Sequence, residues 1–269
     1  MTRKKISSKL YMALVFLFLY APIVVVIVFS FNATKSRTVF TGVTLKWYAQ
    51  LFQDELIMKS LRNSLILAFS SSVIATVIGT AAALAISRMK KKARSVVMNI
   101  TYLPVVNSEI VTGISLMLLF VFVFGLIGLQ LGFVSVLIAH ITFNIPYVIL
   151  NVLPKLRQAD QDLFNAALDL GCNPGQAFFK VMLPEIMPGI VSAFLMAFSL
   201  SFDDFMISYF TAGSSFQTLP VTIYSMTRRR ITPKINALFA LIFVLIFVLL
   251  LVINIRDSRA AKRDARKES

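Results

Sequence analysis

Three carboxylates lie within or at the edge of strongly apolar stretches of the chain: Glu109, Asp203 and Asp204. An Asp at the middle of a bilayer costs roughly 2.5–3.5 kcal/mol on insertion scales, so such a residue is normally kept for a function. Carboxylates attract ammonium groups, and nearby aromatic faces add cation–π attraction. The pattern favours a cation-attracting step or gate on a pathway through the bilayer. An interfacial ion pair or a helix-end site is the alternative.

The two aspartates have a predictable depth and direction. Asp203 lies fifteen residues after Pro188, about 22 Å along a helix, which is the outer half of a core about 30 Å thick. Successive helical residues point about 100° apart, so one aspartate faces the pathway while the other bonds a neighbouring helix or a partner subunit. The sequence leaves open which one does so. Ser201 and Tyr209 are further pathway candidates, as is Trp47, although Trp47 fits an interfacial anchor better than a substrate contact.

The sequence lacks the residues of a catalytic or metal centre. The one cysteine, Cys172, and the one histidine, His140, provide neither a disulfide nor a metal cluster. No P-loop occurs, and neither G-x-S-x-G nor H-E-x-x-H occurs. An intramembrane hydrolase would need aspartates on facing helices, whereas the two here are adjacent. We therefore expect no enzyme activity, no metal and no cofactor bound by this chain. We expect His140 to be a hydrogen-bonded packing residue rather than a proton relay.

The composition is that of an integral membrane protein. Of the 269 residues 58% are hydrophobic and only 14% charged, with a mean hydropathy of +0.81. The apolar runs predict one all-α domain, 1–269, with six transmembrane helices. The first run is too long for a cleavable signal peptide, so we expect it to be retained as a span. The expected spans are 10–31, 63–87, 96–124, 131–153, 188–210 and 235–255. Pro104 and Pro146 predict breaks or kinks, which are typical of a bundle that lines a pathway.

The basic residues predict the orientation in the bilayer. The net charge is +15, but the Lys and Arg residues cluster beside apolar runs, which argues against nucleic acid as a partner. Eighteen of the Lys and Arg residues lie on one side of the bilayer, in the two termini, in the connection between the expected second and third spans and in the segment 154–187. Nine lie on the other side. The run Arg228–Arg230 argues mildly the other way. Both termini and the segment 154–187 are expected to be cytoplasmic.

The segment 154–187 is a polar island between apolar runs, and its pattern predicts a helix–turn–helix. Leu163, Ala166, Ala167 and Leu170 fall on one helical face, and Gly171 fits a helix stop. A turn then leads to a second short helix, 176–182, before Leu183-Pro184. About 30 residues are too few to form a core, so the apolar face is expected to dock on the membrane part or on a partner. A self-contained connecting loop is the alternative.

The string NAALDLGCNPGQAFFKVMLP resembles the EAA loop of bacterial ABC importer permeases, E-A-A-x-x-x-G followed by I-x-L-P. Asn165 stands where that family commonly has Glu, and Asp162, one turn earlier, is a candidate substitute. The resemblance implies that the loop sits in a cleft of a cytoplasmic ATPase subunit and transmits its closure to the spans. The expected coupling residues are Asp162, Asn165, Ala166, Ala167, Asp169, Gly171, Leu183 and Pro184.

Further strings extend the resemblance over most of the chain, in order. LKWYAQLF, HITFNIPYVI, SLSFDDFMISYFTAG and TLPVTIYSM together resemble the second membrane subunit of spermidine/putrescine importers. This resemblance implies a type I ABC importer permease fold that forms half of a pathway in the bacterial inner membrane. It also implies three kinds of partner: a homologous permease, two ATPase subunits that hold ATP and Mg, and an extracytoplasmic polyamine-binding protein. A permease for another small substrate, or an ATP-independent channel or secondary transporter, is the alternative.

Overall fold

The computed structural model describes residues 2–35, 39–229, 233–244 and 247. In these residues the regular structure is helical, apart from one isolated bridge between Asn32 and Val43. Side chains are described from residue 11 onward, except at 161 and 229. The helices are α1 (Thr2–Ser30), α2 (Lys46–Phe52), α3 (Glu55–Ser87), α4 (Lys91–Val106), α5 (Glu109–Leu126), α6 (Phe133–Gln158), α7 (Gln161–Asp169), α8 (Pro174–Ala177), a π-helical turn (Phe178–Met182), α9 (Leu183–Asp203), α10 (Met206–Thr211), α11 (Leu219–Arg229) and α12 (Pro233–Val244).

Five of the described helical stretches are long and apolar enough to cross a membrane. They are Tyr11–Ser30, Glu55–Ser87, Glu109–Leu126, Phe133–Gln158 and Pro174–Asp203. The all-α membrane class predicted from the sequence is therefore confirmed. The expected sixth span, 235–255, is described only in α12 and at residue 247. Its remainder, Arg230 and the basic tail after Ile255 lie outside the described residues.

The expected third span, 96–124, is two helices rather than one. α4 continues through Pro104 and ends at Val106, and α5 begins at Glu109. Asn107 and Ser108 between them are extended, with ψ of 150° and 135°. The Asn107 side chain accepts a hydrogen bond from the Ser108 backbone N–H, which competes with helical pairing. The break therefore lies three residues after the proline, and it makes Glu109 the first residue of a helix.

The expected fifth span, 188–210, is also interrupted. α9 ends at Asp203, Asp204 is extended with φ −62° and ψ 125°, and α10 begins at Met206. A single helix through both aspartates, which the sequence prediction assumed, does not form. The reason is local, because the Asp204 carboxylate accepts the backbone N–H groups at the start of α10 and so favours a new helix start.

Residues 59–222 form one of two compact units into which the chain divides. Its main core lies where α6 and α9 pack together with the second half of α3. The buried side chains at its centre are Ala75, Val148, Val152, Ile186, Ala193 and Ala197. Small residues on α3 and α9 let the backbones approach closely, which is how helices associate in lipid. This packing joins the second half of α6 to the first part of α9.

Gly79 lies at a close contact between α3 and α6. A Cβ atom there would lie 2.6 Å from Cγ1 of Val148, so Gly79→Ala is expected to lower the free energy of unfolding by about 1–3 kcal/mol. Gly125→Ala is the matched control, because a Cβ at Gly125 meets nothing within 4 Å. Thermal unfolding in detergent checks both variants. Equal midpoints for the two would contradict the close packing.

The other unit comprises the described parts of residues 1–58 and 223–269. The Trp47 indole N–H donates a 2.7 Å hydrogen bond to the backbone carbonyl of Asn32, and the Trp47 side chain is buried. The ammonium of Lys234 binds the Asp54 carboxylate just before α3. Burial raises the pKa of the Asp54 carboxyl, but hydrogen bonds and charge attraction from Lys234, with backbone N–H groups of Ile57 and Leu56, lower it below 3.8 overall.

A lowered pKa in the folded state means that Asp54 stabilises the fold above pH 3.8 and loses that contribution as the pH falls through its folded-state pKa. The pair is partly exposed, so we expect Asp54→Asn to cost at most about 1 kcal/mol at neutral pH. The unfolding midpoints of the variant and the wild-type protein should draw together as the pH falls below 3.8. A difference that stays constant across this range would contradict the assignment.

Candidate functional site

A cleft of ≈ 360 Å³ collects all three carboxylates that the sequence singled out. Glu109 comes from the start of α5, Asp203 from the end of α9, and Asp204 from the link between α9 and α10. Phe143 and Tyr147 of α6 line the same cleft. The site is therefore a concave, negatively charged surface with aromatic walls.

Two helix breaks and one close helix contact bring these carboxylates together. The break after Val106 starts α5 at Glu109, and the break at Asp204 starts α10 at Met206. α5 and α10 pack against each other at Gly113, where a Cβ atom would lie 3.0 Å from the Phe210 ring and 3.3 Å from the Met206 carbonyl oxygen. The small residue at this contact lets the two helix starts lie side by side.

The two aspartates have different environments. Asp203 is exposed on the cleft surface. The Asp204 side chain is only 5% exposed, and its two carboxylate oxygens accept hydrogen bonds from the backbone N–H groups of Ile207 (3.2 Å) and Ser208 (2.7 Å). Asp203, together with exposed Glu109, is therefore the carboxylate available to a solute, while Asp204 caps α10.

His140 lies behind Asp204 in a buried polar network. Its Nε2 atom is 3.3 Å from Oδ2 of Asp204 and 3.0 Å from the Ser208 hydroxyl, and its Nδ1 atom is 2.5 Å from the Ser201 hydroxyl. Ser201 also bonds the Ser71 hydroxyl at 2.7 Å. His140 is buried and hydrogen-bonded, as expected, and the absence of a proton-relay role stays a prediction. Its link to Asp204 was not foreseen, because the two residues are 64 positions apart in the sequence.

Three pathway candidates from the sequence do not line the cleft. Ser201 is 3% exposed because its hydroxyl is committed to His140 and Ser71. Trp47 is 6% exposed, so it is neither an open substrate contact nor a ring presented to headgroups. Tyr209 is exposed but packs its ring against Phe205, with 5.4 Å between centroids, and is absent from the cleft wall. In the place of these candidates the cleft has Tyr147 and Phe143, which the sequence analysis did not single out as site residues.

The loop 154–187 contains a short helix with defined ends. The Asp160 side chain caps α7 by accepting from the Asp162 backbone N–H at 2.8 Å. At the other end Gly171 has φ +85°, and the N–H groups of Gly171 and Cys172 bond the carbonyls of Leu168 and Ala167. This is a Schellman motif, in which glycine supplies the left-handed residue. The helix stop predicted at Gly171 is confirmed.

The apolar face predicted for this helix divides in two. Ala167 is buried, and Phe164, which the prediction omitted, packs on the core formed by α6 and α9. Leu163 is 51% exposed and Leu170 is 86% exposed. The docking side is therefore rotated from the predicted one, because the large Phe164 ring buries more apolar area than Ala166. This rotation leaves two leucines facing away from the membrane part.

The second helix of the loop does not stop at Leu183-Pro184 as expected. Asn173 and Gln176 form a capping box that starts α8, and the chain then runs through the π-helical turn into α9 without a break. Pro184 lies in the first turn of α9, directly after the π-helical turn. Glu185, another residue that the sequence pattern did not mark, accepts from the Asp160 backbone N–H at 2.9 Å and ties α7 to α9. α7 is thus joined to the helix that ends at Asp203.

A multi-pass helical bundle with a carboxylate-lined cleft and an exposed, well-capped helical loop is the architecture of a membrane permease. Over residues 75–262 the chain matches the family of binding-protein-dependent transport system inner membrane components, and it belongs to that family. It is therefore a multi-pass inner-membrane subunit of a transport system.

Two relatives and one solved structure are similar over most of the chain. The chain is 38% identical to the putrescine transport system permease protein PotI of Escherichia coli K12, covering 84% of this chain and 82% of PotI. It is 35% identical to the spermidine/putrescine transport system permease protein PotC of the same strain, covering 86% of each. A bacterial ABC transporter involved in the import of the acidic polysaccharide alginate matches with a TM-score of 0.71 at 14% identity, over 94% of this chain and 96% of that one. The ABC importer permease fold is thereby confirmed.

Proposed function

We propose that this chain is the membrane permease subunit of an ATP-driven ABC importer for polyamines. The observation that carries the proposal is the cleft in which Glu109 and Asp203 are exposed beside aromatic walls. It occurs in a chain similar to permeases named for putrescine and spermidine transport. A carboxylate cleft of this kind suits a solute that carries several positive charges.

The chemistry of the cleft fits a polyamine in two respects. Each ammonium group gains charge attraction from a carboxylate, and its methylene chain can pack on apolar walls such as Phe143 and Phe205. Two open carboxylates attract a dication more strongly than a monovalent solute, because both charges interact. A weak site of this type on the surface of a cleft allows the solute to leave again, as transport requires.

Coupling to ATP is proposed to run through α7. Leu163 and Leu170 project from it as an apolar patch, which supports docking into a cleft of an ATPase subunit. Asp162 and Asn165 are exposed on the same helix and Asp169 lies at its end, so all three can contact that partner. Movement of α7 passes to α9 through the Glu185 contact and the continuous chain of α8, the π-helical turn and α9. ATP-driven closure of the ATPases would then move the end of α9 that carries Asp203, in an alternating-access cycle.

The proposed assembly contains this permease, a homologous permease chain, two ATPase subunits that hold ATP and Mg, and an extracytoplasmic polyamine-binding protein. The family description, a binding-protein-dependent transport system, supports the last of these. The distribution of Lys and Arg supports cytoplasmic termini and a cytoplasmic loop 154–187, where the ATPases would bind. The other permease would close the second side of the pathway.

The proposal is tested by uptake of labelled putrescine and spermidine into proteoliposomes that hold the full complex, with ATP enclosed on the ATPase side and binding protein on the other. We expect ATP-dependent accumulation of the labelled polyamines. Unlabelled polyamines should inhibit it by competition, and an amino acid or a neutral sugar should not. ATP hydrolysis without polyamine accumulation would overturn the assignment of polyamines as the substrate and leave another small solute as the cargo. Accumulation in vesicles without the ATPase subunits would instead favour a channel or secondary transporter.

A further inference from the structure

We propose that His140 is a positioning residue of the carboxylate cleft: it binds the Asp204 carboxylate from behind and so holds the helix break at which Asp203 is presented to the solute. The inference rests on the proposed role of Asp203 in polyamine passage. His140 is fully buried and is absent from the cleft wall. Any effect of this residue on a passing cation is therefore transmitted through its neighbours, of which Asp204 and Phe143 reach the cleft wall.

The break between α9 and α10 needs a side-chain explanation. The residues around it, Ser201-Phe202-Asp203-Asp204-Phe205-Met206, include neither Gly nor Pro, so no residue type there forbids a continuous helix. Asp204 is nevertheless extended, and its carboxylate bonds the backbone N–H groups of Ile207 and Ser208. A short acidic side chain that caps the next helix is what keeps α9 from running on.

His140 fixes this capping carboxylate against three helices. Its ring belongs to α6, its Nδ1 atom bonds Ser201 near the end of α9, and its Nε2 atom bonds Ser208 of α10 and lies 3.3 Å from Oδ2 of Asp204. One ring therefore holds the helix before the break, the helix after it and the residue that makes it. Loss of the ring removes the contacts that favour the broken form over a continuous helix, in which the two aspartates would rotate.

The surroundings of the ring suit a group whose task is to hold geometry. Ser71 of α3 supports Ser201, and Phe143 of α6 packs edge-on against the imidazole with 5.2 Å between centroids. Among the described residues, Asp204 is the one carboxylate in salt-bridge range of the ring nitrogens. Binding to the Asp204 carboxylate requires a proton on Nε2, and the Ser201 hydroxyl can either donate to Nδ1 or accept from it, so the neutral Nε2–H tautomer and the imidazolium both fit.

The test measures how accessible position 203 is to a cationic reagent, and it does not depend on polyamine transport. In a Cys172→Ser background, the thiol introduced by Asp203→Cys is modified with a cationic alkylammonium methanethiosulfonate, in complexes that carry His140, His140→Gln or His140→Leu. The thiol introduced by Gln130→Cys, at an exposed position in the turn between α5 and α6, is the control for general changes in reactivity.

We expect His140→Leu to slow modification at position 203 about tenfold or more. The buried Asp204 carboxylate loses a hydrogen-bond partner in this variant, and the helix break that exposes position 203 is then no longer held. His140→Gln, which keeps a donor and an acceptor, should restore most of the rate, and the rate at position 130 should not change. If His140→Leu does not assemble, Ser208→Ala takes its place, and a slower rate at position 203 is again expected. Unchanged rates at position 203 in the assembled variants would overturn the inference.

The proposed polyamine function is tested by a separate measurement, the uptake of polyamine by Asp203→Asn. If Asp203→Asn in the otherwise unchanged chain retains full uptake, the proposed function of the cleft is wrong, whatever the rates at position 203 are. If Asp203→Asn abolishes uptake while His140→Leu leaves modification at position 203 unchanged, the cleft stands and the positioning role of His140 falls.

Discussion

Replacing Asp203 by Asn is expected to reduce ATP-driven polyamine uptake about tenfold or more while the complex stays assembled. Asp203 is exposed on the cleft wall and is nearly isosteric with Asn, so the substitution removes a charge and little else. Two unit charges 4 Å apart attract by about 1 kcal/mol in water and about 4 kcal/mol near a protein surface, and 1.4 kcal/mol is a factor of ten. The measurement is the initial rate of labelled spermidine uptake at saturating binding protein.

Two matched substitutions show whether the charge in the cleft is responsible. Asp162→Asn removes an exposed carboxylate from the loop helix α7 and should leave the concentration dependence on polyamine unchanged. Asp203→Glu restores the charge and should recover a large part of the rate. Uptake by Asp203→Asn within about twofold of wild type would contradict the proposed role, since a lost contact with a cation predicts far more than that.

Asp204→Asn should have a different consequence from Asp203→Asn. The Asp204 carboxylate is buried, caps α10 and lies against His140, so its loss is expected to lower stability by about 1–2 kcal/mol. Thermal unfolding of the purified chain in detergent distinguishes the two variants. Identical unfolding midpoints would contradict the division of roles between the two aspartates.

Gly171→Val is expected to uncouple transport from ATP hydrolysis. Gly171 has φ +85°, a left-handed conformation that costs an ordinary residue roughly 1–2 kcal/mol and a β-branched residue more. A Cβ atom there meets nothing within 4 Å, so the penalty is conformational and not a clash. The Schellman bonds that end α7 would be lost, and with them the direction in which Leu170 projects. We expect uptake to fall about tenfold or more, in line with that conformational penalty, while the ATPase subunits keep their basal hydrolysis.

Graded variants distinguish conformation from volume at this position. Gly171→Asn should be mild, because Asn tolerates the left-handed region. Gly175→Ala in α8 should have almost no effect, since its Cβ would lie at an ordinary 3.5 Å from Oδ1 of Asn173. If Gly171→Val transports as well as Gly175→Ala, the conformation at position 171 does not matter for coupling.

Features that depend on neighbouring residues in the sequence were predictable. The stop at Gly171 follows from a residue type that acts within a few positions, whereas the turn expected before residue 176 is instead the start of α8 at Pro174. The apolar character of the spans gave the membrane class, and the rarity of carboxylates in them marked Glu109, Asp203 and Asp204. These three residues line one cleft.

Features that depend on contacts between distant segments were not predictable. The Asp204 carboxylate meets His140, 64 residues earlier, and Ser201 is buried because it meets Ser71, 130 residues earlier. The orientation of α7 depends on Phe164 finding the core of α6 and α9, and periodicity alone gives no signal for that choice. In lipid, such polar and small-residue contacts decide which helix faces meet, and they leave only weak patterns in one sequence.

The most direct test of the account is to find where a polyamine touches the chain during transport. A photoreactive spermidine analogue is added to the reconstituted complex with binding protein and ATP, illuminated, and the modified peptides are identified by mass spectrometry. The account predicts labelling around Glu109 and Asp203, protected by excess spermidine and weakened by Asp203→Asn. Spermidine-protected labelling that lies wholly elsewhere in the chain, while uptake proceeds, would show that polyamines do not pass through this cleft.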